Sequence, residues 1–289
     1  MTFGAFVTVP SRLASRKPPN LSFAEAATMP AAFLTAQYAL EYLGRMSAGE
    51  RVLIHSASGG VGLAAVQLAQ RAGCEIFATA GTEEKRDYLR ALGVARVFNS
   101  RSLDFAEEIL QRSRMEDGGL RMEDGGSRIE KDDPRSTIHD QQSTILDPQS
   151  STLDPRFSKP GVDLVLNSLA GEAIPKSLAV LRPYGRFLEI GKRDIYQNTR
   201  IGLEPFKNNL SYFAIDLAAV IAERQQFMGT ILRSVLALCE QGELRPLPLQ
   251  SFAISEAASA FRAMAQGKHI GKIVLTFEEE HVLIAPSQR

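Results

Sequence analysis

Residues 51–73, RVLIHSASGGVGLAAVQLAQRAG, join a short apolar run, a loop of small residues and a helix of small residues. The apolar run predicts a buried strand, and Gly73 is a common residue just past a helix end. Ala57, Gly59 and Gly62 take the three small-residue positions of a G-x-G-x-x-G pattern, with alanine first. A diphosphate must approach the backbone closely, and free amides at a helix N-terminus stabilise its charge. The stretch predicts a dinucleotide site, with a tight turn that holds no ligand as the alternative.

The sequence around this loop alternates strand and helix patterns. EIFATA, ARVFNS, VDLVLN, GRFLEIGK and NNLSYFAIDL predict strands, and the stretches between them predict helices, including one that opens at Pro30. The segment AAVIAERQQFMGTILRSVLALCEQG predicts one long helix. GAFVTVPSRL predicts a strand near the start, and SFAISEAASAFRAMAQGKHIGKIVLTF predicts a strand, a helix from about Ser255 and a closing strand. This alternation predicts an α/β fold with a Rossmann-type doubly wound parallel sheet.

The pattern stops at residues 114–159. RMEDGGL is followed at once by RMEDGGS, and RSTIHDQ, QSTILDPQ and SSTLDPR are near-copies of one another. Such a composition cannot bury enough surface to offset the entropy of ordering, which predicts a disordered low-complexity insertion. A binding tail or a solenoid is the alternative, but these units are shorter than the ~20 residues that a solenoid repeat needs.

The composition excludes several classes of protein. The 33 lysines and arginines balance 33 aspartates and glutamates, which argues against a nucleic-acid-binding surface. Cys74 and Cys239 are the only cysteines, and with four histidines they form no zinc-binding spacing, so we expect no metal. No run approaches the ~20 apolar residues of a membrane span. These features predict a soluble protein of a reducing compartment, the cytoplasm.

The end of the second predicted strand indicates which nucleotide binds. NAD-binding proteins usually place an acid there to accept hydrogen bonds from the ribose hydroxyls. Here Ala80 and Gly81 stand at that position, and Thr82, Lys85 and Arg86 follow. A hydroxyl and cations suit a 2′-phosphate and therefore NADP(H). The alternative is that the two cations form a solvated helix face, and the two glutamates before them compete with a phosphate.

Several motifs together resemble one known family. They are MPAAFLTAQYAL, GERVLIHSASGGVGLAAVQLA, FATAGTEEKR, FNSRSLDF, VLNSLAGEAI, FLEIGKRDIY and MAQGKHIGKIVLT. They look like the enoyl reductase domain of modular polyketide synthases, in the zinc-free branch of the medium-chain dehydrogenase/reductases. The resemblance covers nearly the whole chain except the insertion. It implies hydride transfer from NADPH to the β-carbon of an enoyl thioester on an acyl carrier protein, followed by protonation of the α-carbon.

The resemblance also implies the site residues. Those that would bind the cofactor are Ala57, Ser58, Gly59, Gly60, Val61 and Gly62 at the diphosphate, Thr82, Lys85 and Arg101 at the adenosine phosphate, and Asn167, Ser168, Leu169 and Gly191 towards the nicotinamide. Lys192 would be the proton donor and Asp216 a nearby acid. A surface cation is the alternative for Lys192, and a helix N-cap is an equally good interpretation of Asp216.

The resemblance further implies a domain division. Residues 29–113 and 160–245 would form the NADP-binding domain. Residues 1–28 and 246–289 would be remnants of a GroES-like β-barrel substrate lobe, which we expect to be truncated at its N-terminal side. The possible partners are a carrier-bound enoyl thioester and the rest of a synthase module. A quinone-reductase-like oxidoreductase and a non-catalytic NADP-binding remnant stay open as alternatives.

Overall fold

The computed structural model describes residues 7–111 and 160–277, and the described residues contain a six-stranded parallel sheet. Its strands are β1 (Arg51–Ile54), β2 (Glu75–Ala80), β3 (Arg96–Asn99), β4 (Val162–Asn167), β5 (Leu181–Glu189) and β6 (Ser211–Ala214). They lie in the order β3-β2-β1-β4-β5-β6, and all neighbouring pairs are parallel. The predicted Rossmann-type sheet is confirmed. The predicted insertion at 114–159 lies outside the described residues.

The helices of the described residues mostly connect these strands. They are α1 (Phe23–Thr28), α2 (Pro30–Gln37), α3 (Gly60–Arg71), α4 (Glu83–Ala91), α5 (residues 105–111), α6 (Ala173–Ala179), α7 (Arg193–Tyr196), α8 (Leu217–Glu223), α9 (Gln225–Glu240) and α10 (Ala257–Gln266). A wide π-helical turn, Tyr38–Leu43, extends α2. None of them is long and apolar enough to cross a membrane.

The sheet is buried on both faces because its strands are apolar at successive positions. Val52 and Ile54 point into a core that also contains residues of α2, α3 and α9. Leu53 and Phe77 point to the opposite face, into a core with residues of α5 and α6. Side chains alternate between the two faces of a strand, so a strand in the middle of a doubly covered sheet must be apolar throughout.

The strand order reverses between β1 and β4. Chain connections run from β1 outward through β2 to β3, and from β4 outward through β5 to β6. A crevice opens at the carboxyl ends of the strands where two such halves diverge, and ligands of open α/β sheets bind there. The fold thus places the candidate site at the carboxyl edge of the sheet.

A second, two-stranded sheet lies outside the main one. It pairs β7 (Leu249–Ala253) with β8 (Lys272–Thr276) in parallel, and α10 connects them. The residue before β8, Gly271, donates its amide hydrogen to Ser58 O at 2.9 Å, and it forms an isolated bridge with Gly59. This contact fixes the C-terminal segment against the glycine loop.

One prediction for the start of the chain needs correction, and one helix there was not predicted. The strand predicted in GAFVTVPSRL is wrong for residues 7–13, which hold a 3₁₀ turn at Ser11–Leu13 and no strand, and the side chain of Val7 is 73% exposed. A strand needs a hydrogen-bonding neighbour, and this segment pairs with no strand of the two described sheets. The sequence analysis also missed α1, whose capping box joins Ser22 and Glu25 reciprocally.

The long helix predicted after β6 is two helices. The backbone at Arg224 has φ −122° and ψ 46°, which is not helical, so α8 ends at Glu223 and α9 begins at Gln225. Hydrogen bonds still cross the break, because the Arg224 amide donates to Val220 O and the Arg224 carbonyl accepts from Met228 N. The apolar pattern of the sequence runs through Arg224 without interruption, although the backbone there is not helical.

Candidate active site

The glycine loop between β1 and α3 brings backbone close to backbone. A Cβ atom added at Gly62 would lie 2.5 Å from the Cα of Ala57, which only glycine avoids. Gly59 precedes α3 with φ −80° and ψ 172°, no side chain caps the helix, and its first turn holds no acid. Val61 packs against the core and Ser58 is buried. The amides at the start of α3 are thus left to an anion from outside the chain.

A buried histidine at the start of this loop forms hydrogen bonds to neighbouring elements. The Ser177 hydroxyl donates to Ala173 O at 2.6 Å, so it can only accept from His55 Nε2, 2.8 Å away. His55 Nδ1 then accepts from the Thr79 hydroxyl at 3.0 Å, and Thr79 Oγ1 accepts from Ser56 N. Burial lowers the pKa of His55 to about 3. His55 is a neutral structural residue that links β1, β2 and α6.

The second strand ends without an acid, as the sequence indicates. β2 ends at Ala80, and Thr82 caps α4 by accepting from Lys85 N. A Cβ atom at Gly81 would lie 3.3 Å from Arg101 Nε, so the arginine side chain lies directly over this glycine. Thr82, Lys85 and Arg101 are therefore neighbours in the structure, although Arg101 is distant from the other two in sequence.

Arg86 contacts its own helix and strand instead. Its guanidinium donates to Ala80 O at 3.2 Å and forms an ion pair with Glu83. The Arg86 side chain is 15% exposed, so it is not part of a solvated helix face. Lys85 differs, because its ammonium donates to Gly267 O at 2.6 Å, across from α4 to the end of α10.

The cations around Lys85 repel one another. Burial and then the charge of Arg101 lower the pKa of Lys85, with Glu84 opposing. Burial, followed by the charges of Lys85 and Lys272, lowers the pKa of His269. The Lys272 side chain crosses the start of α3, since a Cβ atom at Gly60 would lie 2.5 Å from Lys272 Cδ. A bound polyanion would relieve this repulsion, which makes the region suitable for phosphates.

The carboxyl ends of β4 and β5 share a buried polar network. Asn167 is the last residue of β4, and its side-chain amide donates to Glu189 Oε2 at 2.6 Å and to Leu169 O at 2.8 Å. Leu169 N in turn donates to Asn167 Oδ1 at 3.2 Å. Glu189 also accepts from Gly191 N at 2.6 Å. Burial raises the pKa of Glu189 to about 7, against the lowering effect of these two donors. Ser168 is exposed beside this network.

Lys192 and Asp216 form an ion pair at the same edge. Lys192 Nζ lies 2.8 Å from Asp216 Oδ1, and their side chains are 46% and 41% exposed. This contact raises the pKa of Lys192 and lowers the pKa of Asp216. The same Asp216 oxygen accepts from Ala218 N and Ala219 N at the start of α8. Asp216 is therefore both the neighbour of Lys192 and a helix N-cap.

All the predicted site residues follow the carboxyl ends of strands, one group after each of the six. The glycine loop follows β1, Thr82 and Lys85 follow β2, Arg101 follows β3, the turn from Asn167 to Leu169 ends β4, Gly191 and Lys192 follow β5, and Asp216 follows β6. Three further residues at this edge were not predicted from the motifs, namely Glu189, His269 and Lys272. Glu189 had a signal, since an acid that closes an apolar strand is unusual. The other two had none before β8 was seen to contact the loop.

No metal centre is found among the residues that the structure describes. Groups of three or more histidine, cysteine, aspartate or glutamate residues that could hold an ion are absent there. Both cysteines are free, and burial raises the pKa of the Cys74 thiol to about 11. Neither thiol is thus activated as a nucleophile.

Comparison with known proteins gives consistent matches. Residues 145–275 match a family described as zinc-binding dehydrogenase. Phthioceranic/hydroxyphthioceranic acid synthase of Mycobacterium tuberculosis is 40% identical over 274 residues, which are 94% of this chain and 11% of the synthase. The chain therefore spans about one ninth of that relative's length.

Two solved structures resemble the chain over most of their own length. The CurK enoyl reductase is 39% identical with a TM-score of 0.72, and the match covers 94% of this chain and 68% of that one. The nucleotide-binding subdomain of the enoylreductase domain of PpsC from Mycobacterium tuberculosis is 38% identical with a TM-score of 0.57, covering 75% and 96%. The chain belongs to the polyketide synthase enoyl reductases, within the medium-chain dehydrogenase/reductase superfamily.

Proposed function

We propose that this chain reduces the double bond of an α,β-unsaturated acyl thioester, carried by an acyl carrier protein, with NADPH as the reductant. The observation that carries the proposal is the Lys192–Asp216 ion pair at the sheet edge that also holds the glycine loop. Membership of the enoyl reductase family supports the same reaction. A module of the same synthase is the expected source of the substrate.

In this proposal, one group of residues binds the cofactor and another protonates the α-carbon of the substrate. The glycine loop, Lys85 and Arg101 would hold NADPH, which would supply the hydride for the β-carbon and become NADP⁺. The electrons of the double bond then move to the α-carbon and the thioester oxygen. The Lys192 ammonium is the group we propose to donate the proton to the α-carbon. Asp216 raises the pKa of Lys192 and holds its ammonium group at the sheet edge.

We propose NADPH over NADH because of the cations that follow β2 and β3. Lys85 and Arg101 lie together where an acid would exclude a 2′-phosphate, and Lys272 adds a positive charge beside the glycine loop. The glycine loop fits a diphosphate, since Gly62 has no room for a side chain beside the backbone of Ala57. A charge-assisted contact to phosphate is about twice as strong as a neutral one, which gives the 2′-phosphate its selectivity.

Paired variants test the cofactor. Lys85→Ala should reduce the affinity for NADPH by about tenfold or more and leave the affinity for NADH nearly unchanged, measured by fluorescence titration. Arg90→Ala is the matched control, because Arg90 lies further along α4 and its exposed guanidinium pairs with Glu83 and Asp87. Equal affinities of the unchanged chain for NADPH and NADH would contradict the proposal.

The reaction itself is tested with a crotonyl thioester. The absorbance of NADPH should fall when the thioester is added, and Lys192→Ala should slow that fall. Free quinones serve as comparison substrates. Faster turnover of quinones would favour a quinone reductase, and cofactor binding without turnover of either substrate would favour a non-catalytic remnant.

We also propose that the chain divides into a cofactor domain and parts of a substrate lobe, the latter at residues 1–28 and 246–289. Among the described strands, β7 and β8 pair only with each other, which supports assigning residues 246–289 to the substrate lobe. Residues 29–113 and 160–245 then form the cofactor domain. A version that ends at residue 245 should still bind NADPH, although more weakly, because the contact between Gly271 and the glycine loop is lost. The cytoplasm is the proposed location, which cell fractionation would check.

A further inference from the structure

Glu189 is a buried carboxyl group beneath two turns of the candidate site. Glu189 as a whole residue is 3% exposed. Oε1 accepts from Gly191 N and Oε2 accepts from Asn167 Nδ2, each at 2.6 Å. One side chain thus holds the turn after β5 and the last side chain of β4 at the same time.

The two turns are those that border the proposed nicotinamide position. The Asn167 side chain fixes Leu169 through both its amide nitrogen and its carbonyl oxygen. Gly191 immediately precedes Lys192, and a Cβ atom at Gly191 would lie 2.7 Å from Glu189 Oε1. Glycine is therefore required at position 191 because the carboxylate occupies the space of a side chain. The position of Lys192 depends on this contact.

We propose that Glu189 is a positioning residue for the reduction proposed above, on which this inference rests, and that protonation of its carboxylate weakens its hold on these turns. Both partners of the carboxylate are N–H donors. The ionised group accepts from both of them. The protonated group presents a hydrogen of its own on one oxygen, which then faces a donor instead of accepting from it.

The surroundings of Glu189 place this titration near neutral pH. Burial raises its pKa to about 7, and the charge of Asp194 on α7 adds to the rise. Tyr212 on β6 is neutral, since burial raises its pKa to about 12. Lys192, the nearest cation in sequence, is paired with Asp216. Among the residues that the structure describes, the carboxylate therefore has Asn167 and Gly191 as its hydrogen-bond partners, and no cation there forms an ion pair with it.

Amide hydrogen exchange in the chain without cofactor tests the positioning role. In the unchanged protein, protection of the Gly191 and Leu169 amides should be about tenfold lower one pH unit below 7 than one unit above it. Protection of the Phe77 amide, in β2, should not change. Glu189→Gln should show the low protection at both values of pH. Glu223→Gln, on the exposed end of α8, should behave like the unchanged protein.

The enzyme assay adds a second readout. With NADPH and a crotonyl thioester, the unchanged protein should lose kcat as the pH falls through 7, and Glu189→Gln should have a low kcat without that step. Protection that is independent of pH, with an unchanged step in kcat for Glu189→Gln, overturns the inference. If the variant does not fold, the pH comparison on the unchanged protein decides. Absence of turnover in the unchanged protein and in the variants would contradict the proposed function. The exchange data would still test the positioning role of Glu189.

Discussion

Two glycines of the nucleotide loop are under different steric constraints. At Gly62 an added Cβ atom would lie 2.5 Å from Ala57 Cα, whereas at Gly59 it would lie 3.3 Å from Ser56 O. Both backbones have negative φ, so crowding and not conformation separates them. Gly62→Ala should lower the free energy of unfolding by about 1–3 kcal/mol, the usual range for overpacking. Gly59→Ala should change it much less.

Urea denaturation of both variants checks this prediction. NADPH affinity should fall more for Gly62→Ala, because α3 would have to move away from the loop whose amides face the diphosphate. Equal losses of stability in the two variants would show that the contact between Gly62 and Ala57 adapts at little cost.

The two functions of Asp216 can be separated by substitution. Asp216→Asn keeps an oxygen that can accept from Ala218 N but loses the ion pair with Lys192. Asp216→Ala loses both. We expect the melting temperature to fall for alanine and to stay near that of the unchanged protein for asparagine. Turnover should fall in both variants.

Lys192→Met should reduce kcat by roughly a hundredfold or more, the usual contribution of a general acid, with little change in the Kd of NADPH. Single-turnover kinetics and cofactor titration measure the two quantities separately. A loss confined to cofactor affinity would make Lys192 a binding residue instead.

At the residue scale, sequence patterns could locate the site but not its internal contacts. The small residues from Ala57 to Gly62 are predictable because a diphosphate demands them at that spacing. The bond between Glu189 and Gly191 could not be inferred, since the burial of Glu189 depends on how β4, β6 and α7 pack around it. Likewise Arg86 and Lys85 look equivalent in sequence, and only the position of Gly267 separates them.

At the scale of elements, the seating of β8 on the glycine loop depends on one glycine. Gly271 has φ +75°, and an added Cβ atom would overlap Pro248 O. Gly267 also has positive φ, at +60°, but nothing lies within 4 Å of its Cβ position. Gly271→Ala combines backbone strain with a collision, whereas Gly267→Ala adds only strain.

We therefore expect Gly271→Ala to weaken NADPH binding, because Lys272 and the bond to Ser58 would shift with the backbone. Gly267→Ala should lower stability slightly and leave binding nearly intact. Calorimetric titration with NADPH and thermal melts of both variants give the comparison. Equal affinities would show that the C-terminal segment does not contribute to the cofactor site.

Elements were predictable where periodicity and length agreed. The apolar strands β1 to β5 stand out because a doubly covered sheet requires apolar side chains on both faces. The interruption at Arg224 was not predictable, since the apolar pattern continues through it and no proline or glycine marks it. The strand predicted near the start failed because a strand depends on a neighbour that local sequence cannot supply.

At the scale of the molecule, two buried groups have opposite effects on stability as pH changes. His55 has a pKa of about 3 in the fold, below the ~6.5 of an unfolded chain. The stability that neutral His55 contributes is therefore lost as pH falls from about 6.5 towards 3. Glu189 has a pKa of about 7 in the fold, above the ~4.3 of an unfolded chain, so stability rises as pH falls between the two. Between about pH 4.5 and 6.5 the two effects cancel.

Single substitutions should expose each effect. Relative to the unchanged protein, Glu189→Gln should lose up to about 1.4 kcal/mol of stability per pH unit as the pH falls from about 6.5 to 4.5. His55→Asn should gain stability over the same range by a similar amount. Urea midpoints across this range measure both. Parallel profiles for all three proteins would contradict the assigned protonation states.

The reversal of strand order at the centre of the sheet also affects how fast the chain can fold. Arg51 and Asp163 are joined by a hydrogen bond across 112 positions, whereas Arg51 and Glu75, on the other neighbouring strand, are 24 apart. Closing the longer loop costs about 1.4 kcal/mol more in chain entropy. We expect β1 to pair with β2 early in folding and with β4 late. The crevice at the carboxyl ends of β1 and β4 is then completed in one of the slowest steps of folding, so a newly made chain acquires its secondary structure before it acquires a cofactor site.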